Sequence, residues 1–306
     1  MIDLKKIFLL LICVAYGILF YIGLNDRDTT VVSERDPLFV QINAFANANN
    51  VDPVEPRFCP IWQRIPGLNG LRVNVQASFD QMRSDNHFNE NLIVWEEIPV
   101  TGALNELRMG PVFHGNRGKA MVSFVINVAW GEEYVPEMLE ILERHDVAAN
   151  FFIEGNFANK HPELIMDMYT QGHLIGNHSM SHANFRTITR DEQRTEIVSA
   201  NNILSNLTLQ TVRFFGPPSG AFNEETVALM DEANMQMVMW DVDTIDWQNP
   251  SVSMILSRVM NKVDKGSIIL MHPTANTVEA LETMILEIHR MGLEINDLNA
   301  LFSPRR

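Results

Sequence analysis

Two histidines stand four residues apart in the segment GNHSMSH, and this spacing can place two imidazoles on one metal ion. They are His178 and His182. Hydrolytic zinc sites usually take three protein ligands, often two histidines and a carboxylate, and keep a fourth position open for water. The segment therefore predicts two metal ligands and requires a third from elsewhere. From the spacing alone, a hydrogen-bonded structural pair is the alternative.

Other polar residues follow apolar runs that have the length of buried strands. Asn127 follows VSFVI, residues 216–220 follow TVRFF, residues 241–246 follow MVMW, and His272 follows IILM. From Lys119 onward such runs alternate with amphipathic segments, which indicates βα units and a parallel sheet covered by helices. In a barrel of this kind catalytic residues gather at the carboxyl ends of the strands, so we expect these side chains to lie together.

The elements that position these residues are predicted from periodicity and caps. One helix is expected to begin at a Thr189 to Glu192 capping box. The stretch before the alternating region is irregular and rich in proline, and only two helices are predicted there, over 38–48 and 75–84. The fold class is therefore α/β, with a parallel sheet that is either doubly wound or closed into a barrel and is preceded by an irregular extension.

Composition limits the classes of function. The chain has a formal net charge of -15 and 46% hydrophobic residues. A folded protein is expected, and nucleic acid is not, because phosphate binding needs clustered Lys and Arg.

The amino terminus has the features of a membrane anchor. Lys5 and Lys6 precede an uncharged apolar run over 7–24, which is long enough to cross a bilayer. The positive-inside rule places the amino terminus in the cytoplasm and the rest outside. A cleaved signal peptide and secretion form the alternative. We thus predict an anchor over 1–28, an extension over 29–118 and the main domain over 119–303.

Taken in order, the strand-end segments resemble the motifs of the polysaccharide deacetylase family, also called the NodB homology domain. His178 and His182 in GHLIGNH are similar to its His-x-x-x-His motif, FGPPSG at 215–220 to its third, DTIDW at 243–247 to its fourth, and LMH at 270–272 to its fifth. The resemblance implies a distorted (β/α)7-8 barrel that removes acetyl groups from N-acetylglucosamine-type sugars with a divalent metal. Zn²⁺ is expected, with Co²⁺ or Mn²⁺ as alternatives.

The first motif departs from the family pattern. The family carries Phe-Asp-Asp-Gly, with a general base followed by a metal ligand, whereas Asn127 and Val128 stand at those positions here. An amide does not take a proton from water and a valine does not ligate a cation, so metal binding is expected to be weak. Gly216 replaces an arginine that orients the base in the family. Glu132 and Glu133 are candidates for a replacement base or ligand, or they simply begin the next helix.

The resemblance assigns roles to the remaining residues. His272 is the expected general acid, oriented by Asp243 or Asp246. Predicted substrate-binding residues are Trp130, Pro217, Pro218, Ser219, Gly220 and Trp247. For the tryptophans, a place in the core is the alternative.

Within the family, the segments NVAWG and PPSG are similar to those of a subgroup of membrane-anchored, cell-wall deacetylase-like proteins of spore-forming Gram-positive bacteria. The expected function is metal-dependent deacetylation of a peptidoglycan-like glycan at the cell surface, a hydrolysis of carbon-nitrogen bonds that are not peptide bonds. The alternative is an inactive, glycan-binding protein with the deacetylase fold.

Overall fold

The computed structural model describes residues 36–107 and 110–306. These residues form two compact units. The smaller unit contains residues 36–50 and 72–96, and the larger contains residues 51–71 and 97–306. The division of the chain into three segments at residues 28 and 118 remains a prediction.

The smaller unit is built on two helices, α1 (Pro37–Asn49) and α2 (Val75–Met82). Both begin at a side-chain cap, since Asp36 accepts from the Leu38 amide and Asn74 from the Ala77 amide, each at 2.8 Å. Such caps satisfy amides that have no partner within the helix. The two helices confirm those predicted over 38–48 and 75–84.

The other elements follow in chain order. The strands are β1 (Arg57–Cys59), β2 (Gln63–Ile65), β3 (Gly70–Val73), β4 (Trp95–Ile98), β5 (Met121–Val128), β6 (Asn150–Ile153), β7 (Leu174–Asn177), β8 (Phe214–Phe215), β9 (Gln236–Met237), β10 (Val242–Asp243), β11 (Ile268–Met271) and β12 (Glu294–Ile295). The helices are α3 (Val135–Arg144), α4 (Gly155–Lys160), α5 (Pro162–Thr170), α6 (Arg190–Thr208), α7 (Glu224–Glu232), α8 (Val252–Met260), α9 (Ala275–Arg290) and α10 (Leu298–Phe302). Short 3-10 turns lie at Glu90–Leu92, Leu104–Glu106, Pro218–Gly220 and Asp246–Gln248.

One curled parallel sheet forms the centre of the larger unit. Its strand order is β10-β11-β5-β6-β7-β8-β9, and β12 also pairs with β5. All eight residues of β5 are buried, as expected for a strand covered on both faces. The α/β class and the parallel barrel-like sheet are thus confirmed. The capping box at Thr189 is also confirmed, since the Glu192 carboxylate accepts from the Thr189 amide at 2.7 Å.

A segment before β5 connects β9, at one edge of this open sheet, with the start of β11, the strand next to the other edge. The Val112 amide donates to Met237 at 3.0 Å, and the Val112 carbonyl accepts from the Met239 amide at 2.8 Å. Three residues later, the Gly115 amide donates to Gly266 at 2.7 Å, just before β11. Residues 112–115 therefore lie between β9 and β11 and bridge the gap between them by backbone hydrogen bonds.

Phe152 occupies the interior of the barrel and is fully buried. Its ring fits there because two glycines lie beside it, Gly176 in the neighbouring strand β7 and Gly216 directly after β8. A Cβ atom at Gly176 or at Gly216 would lie 2.8 Å from Cδ1 of Phe152. Interiors are packed too closely to absorb such overlap without movement.

Within the described part of the chain, no helix is both long enough and apolar enough to span a membrane. The predicted anchor over 7–24 lies outside the described residues. The transmembrane helix in the predicted fold class therefore remains a prediction.

Candidate functional site

A cleft of about 390 Å³ lies at the carboxyl ends of the strands. It is lined by Asn127, Ala129, Trp130, His178, His182, Ser219, Trp240, Asp243, Trp247, Leu270 and His272. The parallel sheet brings these residues together because β5, β7 and β11 all end at this edge. The convergence expected from the sequence is what the structure shows for most of the predicted site residues.

The two histidines of the opening motif face each other in this cleft. Their ring centroids are 5.1 Å apart. The Nδ1 of His178 donates to the carbonyl of Gly216 at 2.7 Å, which leaves its Nε2 with a free lone pair. A tight turn brings His182 back, since Ser179 and His182 both have positive φ angles, 65° and 56°.

Burial keeps both imidazoles neutral at pH 7. Burial, with a smaller contribution from the neighbouring His182, lowers the pKa of His178 to about 3. Partial burial also lowers the pKa of His182, while the negative charge of Glu154 opposes that shift. Neutral imidazole is the form that ligates a metal.

The set of donors nevertheless falls short of a catalytic metal centre. Asn127 lies beside the histidines, is 5% exposed, and its Oδ1 has no hydrogen-bond partner. Val128 is fully buried in the core between the sheet and the helices. Among the residues that the structure describes, no three His, Cys, Asp or Glu side chains are grouped to hold a metal. Two imidazoles and an amide lack the third strong ligand that a hydrolytic zinc site needs.

His272 is held by a buried carboxylate on the opposite side of the cleft. The Nδ1 of His272 lies 2.7 Å from Oδ1 of Asp246, and the His272 amide donates to the same side chain at 2.6 Å. The hydroxyl of Thr277 also donates to Asp246 at 2.7 Å. Of the two aspartates predicted to orient His272, the structure thus places Asp246 in contact with it. The carboxylate fixes the tautomer with Nε2 free.

Asp243 has a different position from the one expected of an orienting partner. Its Oδ1 accepts from the Ile245 amide at 2.8 Å, and its side chain lines the cleft. Ile245 has a φ of 53°, which is unusual for a β-branched residue. This bond holds a strained loop that delivers Asp246 to His272 and Trp247 to the cleft mouth.

Tryptophans form the walls of the cleft. The ring of Trp130 stacks on that of His272, with centroids 6.0 Å apart and planes inclined by 6°. Trp130 is 45% exposed and Trp247 is 58% exposed, so neither belongs to the core. The loop that carries Trp130 packs closely on the β11 end, because a Cβ atom at Gly131 would lie 2.2 Å from the carbonyl oxygen of Pro273.

The PPSG segment lies on the other side. Ser219 lines the cleft in a left-handed conformation with a φ of 54°. Pro217 and Pro218 are buried beneath it, and Gly220 contacts Trp240. Of these four predicted substrate-binding residues, only Ser219 contributes to the described lining.

The proposed replacement acids do not reach the site. Glu132 and Glu133 are exposed on the turn before α3, and neither is among the described residues that line the cleft. Their place at the start of a helix fits the alternative that they stabilise its amino terminus.

Three lining residues, Ala129, Trp240 and Leu270, are absent from the predicted site. The apolar run MQMVMW predicts a buried strand that ends at Trp240, and Leu270 belongs to the LMH segment without a predicted role of its own. For Trp240 the available signal is its position immediately before the polar segment that begins at Asp241.

Comparisons with known proteins agree with this architecture. Residues 114–238 match the family model described as polysaccharide deacetylase. The chain is 37% identical to the uncharacterized protein YlxY of Bacillus subtilis over 287 residues, which cover 94% of this chain and 90% of that protein. It is 32% identical over 199 residues to a peptidoglycan-N-acetylglucosamine deacetylase of Bacillus cereus, covering 63% of this chain and 72% of that protein.

A solved structure is also similar over most of the chain. Wild-type BA3943 from Bacillus anthracis, described as a CE4 family pseudoenzyme, superimposes with a TM-score of 0.85 at 37% identity, covering 89% of this chain and 97% of that one. A mutant of BA3943, described as having restored enzymatic activity, gives a TM-score of 0.84 at 36% identity and covers 88% of this chain and 99% of the mutant.

Proposed function

Because this chain belongs to the polysaccharide deacetylase family, we propose that its cleft binds an N-acetylated cell-wall glycan and does not remove the acetyl group. Deacetylases of this family act on glycans such as peptidoglycan and are generally metal-dependent. The chain would therefore bind the same class of glycan as the family's enzymes, without the hydrolysis that those enzymes catalyse.

The observation that carries the proposal is the position of Asn127. It lies in the cleft with His178 and His182, at the place where the resemblance puts the general base. A neutral amide neither accepts the proton of an attacking water nor supplies negative charge to a cation. The carboxylate that does line the cleft, Asp243, has one oxygen engaged by the Ile245 amide.

The tryptophans support recognition. Trp130, Trp240 and Trp247 present aromatic surface to one cleft of about 390 Å³. Aromatic rings offer large rigid contact areas, and the indole N–H groups can bond to sugar hydroxyls. Asn127 adds an amide that matches the hydrogen-bonding groups of an acetamide. A cleft of this volume is in the usual range for ligand sites.

The relatives support both the glycan ligand and the absence of hydrolysis. The Bacillus cereus relative is named for a peptidoglycan substrate, which indicates a cell-wall glycan. BA3943 is described as a pseudoenzyme although it shares the fold over most of its length.

Slow hydrolysis is the second candidate, and the His272–Asp246 contact favours it. That pair can protonate a leaving amine. Losing a general base costs ~10²- to 10⁴-fold in rate, so weak turnover would be compatible with the remaining groups. Any metal, Zn²⁺ first, would have His178 and His182 as its protein ligands. It would be held weakly.

We further propose that residues 119–303 act outside the cell, near the wall. The apolar run over 7–24 would anchor them in the membrane with the amino terminus in the cytoplasm, or would be cleaved on secretion.

A binding titration tests the proposal. Full-length protein is titrated with a tetramer of N-acetylglucosamine, alongside Trp130→Ala, Trp247→Ala and the matched control Trp95→Ala, whose side chain does not line the cleft. We expect saturable binding that weakens about 10-fold or more in each cleft variant and is unchanged in the control. Absence of binding to a folded protein, or equal binding by all variants, would exclude the cleft as the glycan site.

A further inference from the structure

A second polar hollow lies at the opposite end of the barrel, where strands begin rather than end. It has a volume of about 570 Å³ and is lined by Arg64, Asn105, Arg213, Phe214, Gln236 and Asn299, among others. A smaller hollow of about 340 Å³ shares five of these residues and adjoins it. We call the two together the basal hollow. Its size falls within the range of small-molecule sites.

Arg64 is the first unusual feature of the basal hollow. It is 1% exposed, yet its guanidinium contacts only neutral oxygen atoms: the carbonyls of Leu104 and Gly110 and the side chain of Gln236. Its Nε has no partner. No described carboxylate forms an ion pair with it, and Asp231 acts on it only through space. A buried charge without a paired counterion is costly, and an anion would relieve that cost.

Arg213 supplies a second positive charge at the same place. It stands immediately before β8 and is exposed, and within the described residues its side chain makes no ion pair. With Asp231 as the acid in the lining, two arginines and one aspartate give the hollow a formal charge of +1. The whole chain carries -15. The hollow is therefore a local exception in an acidic protein.

The remaining walls suit a sugar. Phe214 and Phe302 form a tilted aromatic pair with centroids 6.1 Å apart, and both line the smaller part of the basal hollow. Asn105 and Thr211 are exposed and offer groups that bond to hydroxyls. An apolar wall beside polar groups and a guanidinium is the combination expected for a hydroxylated ring that carries an oxyanion.

We infer that the basal hollow binds an acidic sugar, with its oxyanion on the exposed Arg213, in the positive field of the buried Arg64, and its ring against the Phe214 wall. The oxyanion is a carboxylate or a phosphate, since arginine binds both in the same fork geometry. This site is separate from the cleft at the carboxyl ends of the strands. The chain would thus contact a charged glycan at two points.

The test uses full-length protein and three monosaccharides of similar size: glucuronate, glucose 6-phosphate and neutral glucose. Binding is followed by calorimetry at low salt. We expect at least one acidic sugar to bind 10-fold or more tightly than glucose, with affinity falling as salt rises. The tighter of the two identifies the carboxylate or the phosphate as the preferred group.

Variants locate the binding. Arg213→Ala should weaken the acidic sugar at least 10-fold, whereas Arg290→Ala, an exposed arginine of α9, should not. Because Arg64→Gln risks unfolding the chain, Arg213→Lys, which keeps the charge and loses the fork, serves as the second variant and should also weaken binding. Equal affinities for glucose and both acidic sugars, or an Arg213→Ala protein that binds as the wild type does, would overturn the inference.

The two proposals fail separately. Arg213→Ala should leave binding of the N-acetylglucosamine tetramer unchanged, and Trp130→Ala should leave binding of the acidic sugar unchanged. If Trp130→Ala weakened the acidic sugar as much as it weakened the tetramer, the acidic sugar would be a cleft ligand and the basal hollow would lose its role.

Discussion

The Nδ1 of His272 lies 2.7 Å from Oδ1 of Asp246, and the aspartate side chain is completely buried. The same carboxylate also accepts from the His272 amide and from Thr277. The histidine and its aspartate are thus held in one arrangement by three hydrogen bonds. Asn127, at the position where the resemblance puts a general base, is a neutral amide with an unpartnered Oδ1. One cleft therefore combines a bonded histidine-aspartate pair with an uncharged side chain at the expected position of the base.

Asp246→Asn should destabilise the fold. The substituted amide keeps one acceptor oxygen, but its NH₂ group faces donors from which the carboxylate accepts hydrogen bonds. Buried groups are then left without a partner, at a cost of about 2–4 kcal/mol. Chemical denaturation measures this loss. The control is Asp243→Asn, whose side chain accepts one backbone bond and which should cost about 1 kcal/mol or less. Equal losses in the two variants would contradict the central place given to Asp246.

Gly216→Arg, the change toward the family residue, should be poorly tolerated. Its Cβ would lie 2.8 Å from the buried ring of Phe152, and relieving such overpacking costs about 1–3 kcal/mol. Thermal unfolding of Gly216→Arg, alone and combined with Phe152→Leu, measures the effect. In the double variant, the smaller leucine side chain at position 152 should recover part of the stability that Gly216→Arg loses. A Gly216→Arg protein as stable as the wild type would show that Phe152 moves freely.

Restoring the first carboxylate of the first motif should create a metal requirement. Asn127→Asp adds a carboxylate beside His178 and His182, at a position that is 5% exposed. Without metal, the buried charge should cost several kcal/mol, and Zn²⁺ should restore stability in proportion to the affinity it gains. Unfolding midpoints with and without Zn²⁺ test this. Gly216→Ala with Zn²⁺ is the control for any general effect of the ion, and it should not respond.

His173 should make stability fall in mild acid. Burial lowers its pKa to about 4 from an ordinary 6.5, so the folded state stays neutral while the unfolded state takes up a proton. The unfolded chain binds more protons below pH 6.5, and the contribution of His173 to stability is present above that pH and lost as pH falls toward 4. Between pH 7 and pH 5 the loss should be about 2 kcal/mol.

His173→Gln separates this residue from the other histidines. Free energies of unfolding at the two pH values should show a drop smaller in the variant than in the wild type by that amount. Identical drops would mean that His173 is already charged in the folded protein.

The sequence predicted the arrangement of the barrel well because its local signals agree with its fold. Buried strands read as continuous apolar runs, helices begin at side-chain caps, and site residues stand at strand ends. Residues such as His178 and His272 could therefore be assigned to one cleft from their positions after apolar runs, and both line it.

Other features depend on contacts that no local pattern encodes. The choice between Asp243 and Asp246 is decided by the strained turn at Ile245. Asp241, grouped with the strand-end residues, instead accepts from the Ile268 amide at 2.7 Å at the opposite end of the sheet. The burial of Arg64 depends on contacts with residues that are distant in sequence, from Leu104, 40 positions away, to Gln236, 172 positions away.

The most direct test of a binding cleft without chemistry is acetate release measured together with binding. Full-length protein is incubated with the N-acetylglucosamine tetramer and with peptidoglycan, with added Zn²⁺, Co²⁺ or Mn²⁺, beside His178→Ala. We expect the glycan to be bound and no acetate to appear with any metal. Metal-dependent acetate release that His178→Ala abolishes would contradict this expectation and establish a deacetylase that works without the family's base.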